Sequence, residues 1–139
     1  MEQYLVETEF LIGLIPTDKW HTQVMKVLEL LKRGEMYLSV SASAFLETRA
    51  IFYSHGKKPL EVSEALILLK NTCEQWELEE LPLWTTDILL ADKLRASEPD
   101  LTYFDSLHAA VSQRCGLKIL ANDSVYKKIG VLGKMLAKM

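Results

Sequence analysis

Cysteine is nearly absent: Cys73 and Cys115 are the only two in 139 residues. Two isolated thiols in apolar helical surroundings cannot build the disulfide framework of a small secreted scaffold, and they read as small core residues. Histidine is equally scarce, and His21, His55 and His108 show no zinc spacing. No apolar run approaches the roughly twenty residues needed to cross a bilayer. The start Met-Glu-Gln-Tyr lacks the basic stretch of a signal peptide. The expectation is a cytoplasmic protein with no membrane partner. Six glycines and four prolines leave no low-complexity linker, and no internal repeat is present. Positive charge is not in excess either: a net charge of −3 argues against a protein that coats nucleic acid by charge alone.

What is present fits one ordinary globular domain over residues 1–139, with 49% hydrophobic and 25% charged residues. A chain of this length can bury about two-thirds of its unfolded surface. The segment Thr102–Ser124, TYFDSLHAAVSQRCGLKILANDS, organises the rest. Thr102 is placed to cap a helix, with Asp105 three positions on. Gly116 can end that helix in a left-handed conformation. Leu117–Ala121 then reads as a short apolar strand of the kind buried by helices on both faces.

Upstream, Tyr4–Val6 reads as a strand, Phe10–Ile15 as a short buried helix, and Met36–Val40 as a second strand. Thr17 can cap a helix whose face carries Trp20, Val24, Val27, Leu28 and Leu31, ending at Gly34. Ser41 or Ser43 starts a helix through Phe52, and Pro59 opens another carrying Val62, Leu66, Leu69 and Cys73. Ile67 and Leu68 widen that stripe beyond one core face, which suits a partner surface. Trp76–Leu83 passes for a third strand, and Thr85 or Thr86 caps the helix after it. The tail holds a short helix and a final edge strand at Gly130–Leu132. Strands alternating with helices predict an α/β fold, three-layer α/β/α with a mostly parallel central sheet.

Four acids fall at strand ends or helix starts in this scheme: Glu7, Glu47, Asp105 and Asp123. Asp105 and Asp123 can each be simple helix caps, and Glu47 can be an acid favoured by the helix dipole. Glu7 directly follows an apolar strand, where a carboxylate tends to be partly buried and in need of a partner. A parallel sheet gathers the C-terminal ends of its strands, so the four together form one negative pocket. Divalent cations relieve such repulsion, and oxygen-only ligands point to Mg²⁺ or Mn²⁺. Ions of that kind can activate water against a phosphodiester.

The same residues carry a resemblance. Leu5-Val-Glu-Thr-Glu9, Leu38-Ser-Val-Ser with Glu47, Thr102-Tyr-Phe-Asp-Ser-Leu-His-Ala-Ala110 and Ile119-Leu-Ala-Asn-Asp123 resemble the four motifs of PIN domains, in order and over essentially the whole chain. The likeness is nearest to the small VapC-type ribonuclease toxins. It implies a PIN-like fold and a metal-dependent endoribonuclease acting on structured RNA. It also implies a homodimer, and a small antitoxin protein as partner. Glu7 and Glu9 depart from the family pattern of Asp, then Thr, then Asn or Ser. That departure leaves two outcomes open: an active site with altered metal preference, or a catalytically weak or inactive PIN-fold binding or regulatory module.

Accessory roles are open for Thr8, Glu9, Asn122 and Ser124, each of which local turn or cap bonding also explains. His108 reads as a partly buried helix histidine. Arg49, Lys57 and Lys58 read as surface charges, and Trp20, Trp76 and Trp84 as core or interface anchors. A phosphate-accepting receiver-like domain is set aside, because strand Glu77–Leu83 ends in Pro82-Leu-Trp84 without the required acceptor Asp.

Overall fold

The computed structural model describes residues 2–139. The chain runs β1 (Glu2–Val6), α1 (Thr8–Gly13), α2 (His21–Lys32), β2 (Met36–Ser41), α3 (Ala42–Ser54) and α4 (Pro59–Gln75). It continues with β3 (Glu79–Leu81), α5 (Thr85–Ser97), α6 (Tyr103–Cys115), β4 (Lys118–Leu120), α7 (Val125–Lys128) and β5 (Leu132–Lys134), and closes on a 3₁₀ turn at Leu136–Lys138. The strands form one sheet in the order β3-β2-β1-β4-β5, and every pairing is parallel. The register sets Val6 beside both Val40 and Leu120, so β1, β2 and β4 end at one level.

Alternation along the strands explains the layers. Tyr4 and Val6 of β1, with Leu38 and Val40 of β2, join Phe10, Val24, Leu28, Phe52 and Leu69 in one core beneath α1, α2, α3 and α4. Leu5, Ile119 and Ala121 face the other way, against Ala109 and Val111 of α6 and against Val125 and Tyr126. Successive strand residues point to opposite faces, so a sheet covered on both sides needs continuous apolar runs. The architecture is therefore a three-layer α/β/α sandwich. On α4, Leu60, Ile67 and Leu68 remain exposed, in keeping with the over-wide stripe.

Boundaries moved where a local side chain competed. The helix expected after Thr17 starts at His21, because the Asp18 carboxylate accepts the Trp20 N–H at 2.9 Å and holds a turn first. The third strand shrinks to Glu79–Leu81. Its approach is a turn in which Glu77 adopts φ 60°, a left-handed conformation that strand geometry excludes. The last strand lies at Leu132–Lys134 rather than Gly130–Leu132, because Gly130 is itself a turn residue at φ 74°. Gly116 ends α6 at φ 65°, as its position suggested.

The α5–α6 pair is clamped by one ionic contact. Asp87 is 1% exposed; it accepts the Trp84 N–H at 2.8 Å and the Arg114 Nε–H at 2.7 Å. Arg114 also donates to the Pro82 carbonyl at 2.8 Å and stacks over the Trp84 ring at 4.6 Å. Removing the cation strands a buried carboxylate. Arg114→Ala is expected to cost roughly 3 kcal/mol in denaturant unfolding, whereas breaking an exposed pair such as Lys70–Glu74 should leave stability nearly unchanged.

Candidate functional site

Glu7 is the first residue beyond β1 and serves as the N-cap of α1, its carboxylate accepting the Glu9 N–H at 3.1 Å. Short polar caps normally keep that position at the surface. Here the register of β1 beside β2 closes α3 over it, leaving Glu7 8% exposed. Thr8 is buried beside it and donates its hydroxyl to Oε1 of Glu47 on α3. His108 on α6 is fully buried, and its Nε2 lies 2.8 Å from the same Oε1. One ligating atom from each of Glu7, Glu47 and His108 falls within 4.8 Å of the others.

Asp105 sits in the first turn of α6, whose Thr102 cap accepts the Asp105 N–H at 3.3 Å. Its Oδ1 accepts the Tyr126 hydroxyl at 3.1 Å. Asp123 lies past the end of β4 but is exposed, with its carboxylate accepting the Val125 N–H at 3.0 Å. The fold thus brings Glu7 and Glu47 together with His108, sets Asp105 near enough for its charge to act on Glu7, and leaves Asp123 exposed as a turn cap near Lys128. Ser124 is exposed at the start of α7 and makes no capping hydrogen bond. Asn122 accepts the Ala137 N–H at 2.6 Å and fastens the C-terminal turn to this edge.

Burial and crowding set the electrostatics. Burial pushes the Glu7 carboxyl up to about 8, and the neighbouring charges of Glu9, Glu47 and Asp105 add to it against the single favourable Glu9 N–H. Glu9 is raised as well, first by burial, with Asn122 and Lys19 working in the opposite direction. The Asn122 amide lies near enough to favour ionised Glu9, yet its Nδ2 completes no hydrogen bond of normal geometry. Burial also opposes charge on Glu47, but hydrogen bonds from His108 and Thr8 outweigh it and hold this carboxyl below its ordinary range. The Tyr126 phenol is held well above its ordinary range by burial, then by the charges of Glu7 and Asp105.

A groove of about 260 Å³ opens over Glu7, Thr8 and Glu47, walled by Ile12, Ile51 and Trp20, with Lys19 on its rim. The groove lining is largely apolar, and the Glu7 and Glu47 carboxylates meet within it, where burial concentrates their repulsion. Such a donor set fits a hard divalent cation, whose charge offsets the cost of ionising Glu7. Arg49, Lys57 and Lys58 are exposed, as expected of surface charges.

His108, Ser43 and Tyr126 are the residues whose place in the site the sequence did not announce. His108 is fully rather than partly buried, and its Nδ1 lies 2.7 Å from the Ser43 hydroxyl. The usable signal was its setting: a histidine inside the apolar run Leu107–Val111 must find buried partners. Tyr126 carried a weaker signal, a hydroxyl on an otherwise core-like position.

Comparison with known proteins agrees with the fold. VapBC2 from Rickettsia felis, solved bound to a DNA fragment from its promoter, superposes with a TM-score of 0.68 at 18% identity, covering 95% of this chain and 96% of that one. VapC20 from Mycobacterium tuberculosis, a sarcin-ricin-loop-cleaving toxin, gives a TM-score of 0.68 at 16% identity over 93% and 96% of the two chains. FitAcB from Neisseria gonorrhoeae gives 0.63 at 17% identity over 95% and 96%. At these identities the likeness is one of fold. No curated protein sequence matches the chain. The PIN domain family model matches residues 4–132, nearly the whole chain, and the protein is a member of the PIN domain family.

Proposed function

We propose that this protein is a divalent-metal-dependent endoribonuclease, a single PIN-like domain over residues 1–139 that hydrolyses a phosphodiester of structured RNA. The observation that carries the reading is the meeting of Glu7 and Glu47 on a buried edge, with the charge of Asp105 close enough to act on Glu7, where Glu7 ionises only with difficulty. Glu7, Glu47 and Asp105 would hold Mg²⁺ or Mn²⁺, with Asp123 joining from the end of β4. The cation supplies a Lewis acid that activates water and neutralises charge on the phosphate. Thr8 and His108 keep Glu47 ionised and aimed. Glu9 lines the groove as an accessory polar group, Asn122 and Ser124 would assist from the segment after β4, and Lys19 offers a positive contact to a phosphate at the groove rim.

Family membership and the folds of VapBC2, VapC20 and FitAcB support a role as the toxin-like half of a toxin–antitoxin pair, restrained by a small antitoxin; in this proposal the protein acts as a homodimer in the cytoplasm. No helix among the described residues is long and apolar enough to cross a membrane. A second reading, a catalytically weak or inactive PIN-fold binding module, is favoured by one observation: Asp123 stays exposed and outside the cluster of Glu7, Glu47 and His108.

RNA cleavage separates the two. Wild-type protein is expected to cut a structured RNA only with Mg²⁺ or Mn²⁺ present, and Asp105→Asn to lower the rate by about 100-fold or more. Absence of metal-dependent cleavage, or an undiminished Asp105→Asn, rejects the enzyme reading.

Stability against pH probes the same acids. The Glu7 carboxyl sits near 8 when folded against an ordinary 4.5, so the folded state holds the extra proton between those values. The stability associated with protonated Glu7 is complete below about 4.5 and is lost as pH rises through about 8, at about 1.4 kcal/mol per pH unit. In EDTA, the melting temperature should therefore fall from pH 5 to pH 8, with Glu7→Gln flattening the slope. Mn²⁺ should raise the melting temperature more at pH 8 than at pH 5, where the proton competes for the same oxygens. Parallel melting curves for wild type and Glu7→Gln would count against this placement of Glu7.

A further inference from the structure

Two of the clustered carboxylates are each held by a side chain that comes from behind the groove. Oε1 of Glu47 receives the Thr8 hydroxyl and lies 2.8 Å from Nε2 of His108; Oδ1 of Asp105 receives the Tyr126 hydroxyl at 3.1 Å. His108 and Tyr126 are both fully buried, His108 in the middle of α6 and Tyr126 in α7. Neither Glu47 Oε2 nor Asp105 Oδ2 receives a protein hydrogen bond among the described residues. We propose that His108 and Tyr126 are positioning residues, each fixing one oxygen of a site carboxylate so that the other is presented to a divalent cation. The inference rests on the cation-site reading above and says how the chain's own packing prepares that site.

The hydrogen-bond chain behind His108 assigns its role. Ser41 Oγ caps α3 by accepting the Ser43 N–H at 3.1 Å, and it lies 2.6 Å from Ser43 Oγ, which lies 2.7 Å from Nδ1 of His108. When Nε2 carries the ring proton, each group has a partner: Ser41 O–H to Ser43, Ser43 O–H to Nδ1, and Nε2–H to Glu47. With the proton on Nδ1, that atom donates to Ser43 and Ser43 donates to Ser41. The Ser41 hydroxyl proton is then stranded in a fully buried position. Both ring nitrogens are therefore engaged, and His108 is an orienting donor rather than a ligand, although its nitrogen is within ligating distance of the acids.

Orientation matters here because a free carboxylate rotates between one-oxygen and two-oxygen ligation, and Mg²⁺ accepts little departure from octahedral geometry. Asp105 opens α6 and His108 lies three residues on, so one helix brings both an acid and the donor for a second acid. Tyr126 reaches back from α7 to hold that first acid.

The test is calorimetric Mn²⁺ titration of wild type, Tyr126→Phe, His108→Met and His108→Gln, with melting curves in EDTA alongside. Tyr126→Phe removes one hydroxyl and nothing else. It is expected to melt near wild type yet bind Mn²⁺ about 10-fold more weakly. His108→Met should show a similar loss, and His108→Gln, which retains an N–H donor, should recover part of it. Electron spin-echo spectra of the Mn²⁺ complex should show no directly bound nitrogen. Affinities for Tyr126→Phe and His108→Met within about twofold of wild type would overturn the proposal. A nitrogen coupling that disappears in His108→Met would overturn the His108 half by making it a ligand. If His108→Met fails to fold, Tyr126→Phe and the spectrum of wild type still decide. Wild type that binds no Mn²⁺ rejects the metal-site reading itself, a result distinct from wild-type-like binding by the variants.

Discussion

The governing constraint is a glutamate forced into the protein at the end of the central strand. Glu7 caps α1, so its backbone cannot move outward without unwinding the first turn. Its neighbours Glu9, Glu47 and Asp105 repel its charge, and burial removes the water that would screen them. An isolated carboxylate in such a place takes up a proton. A cluster of them takes up a proton or, in the function proposed for this protein, a cation.

The rest of the architecture keeps the cluster from relaxing. The parallel register fixes Val6, Val40 and Leu120 at one level, so the loops after β1, β2 and β4 share one edge. Apolar residues fill both faces of the sheet, and no strand can slip by one residue without turning its core side chains over. The pair of buried Asp87 and half-buried Arg114 locks α5 to α6, the helix that carries Asp105 and His108. Thr8, Ser43 and Tyr126 then supply hydroxyl groups, and His108 a ring nitrogen, as hydrogen-bonding partners where lysine or arginine side chains would have cancelled the charge outright. The acids stay available because their partners only orient them.

The departure at Glu7 and Glu9 takes on a physical meaning in this setting. The longer Glu7 side chain folds back onto the Glu9 amide, and Glu9 turns toward Asn122 and Lys19. The extra acid is thereby drawn to the rim, near the one lysine lining the groove among the described residues. The oxygens of Glu7 and Glu47 remain together on its floor.

Periodicity and cap chemistry in the sequence determined the layers, most helices and the edge of the sheet where the acids sit, because burial on two faces demands apolar runs that nothing else explains. Thr102, Gly116 and Pro59 act locally, so their roles as cap, terminator and first helical residue were legible. Asp18 was equally local, and its carboxylate takes the Trp20 N–H, so α2 starts only at His21. Only the tertiary structure decided which acids meet. Asp123 and Asp105 look alike as helix-start residues, yet Asp105 accepts a buried hydroxyl while Asp123 stays in solvent. His108, Ser43 and Glu47 lie on elements that become neighbours only when α3 and α6 pack together, so no short-range pattern could pair them.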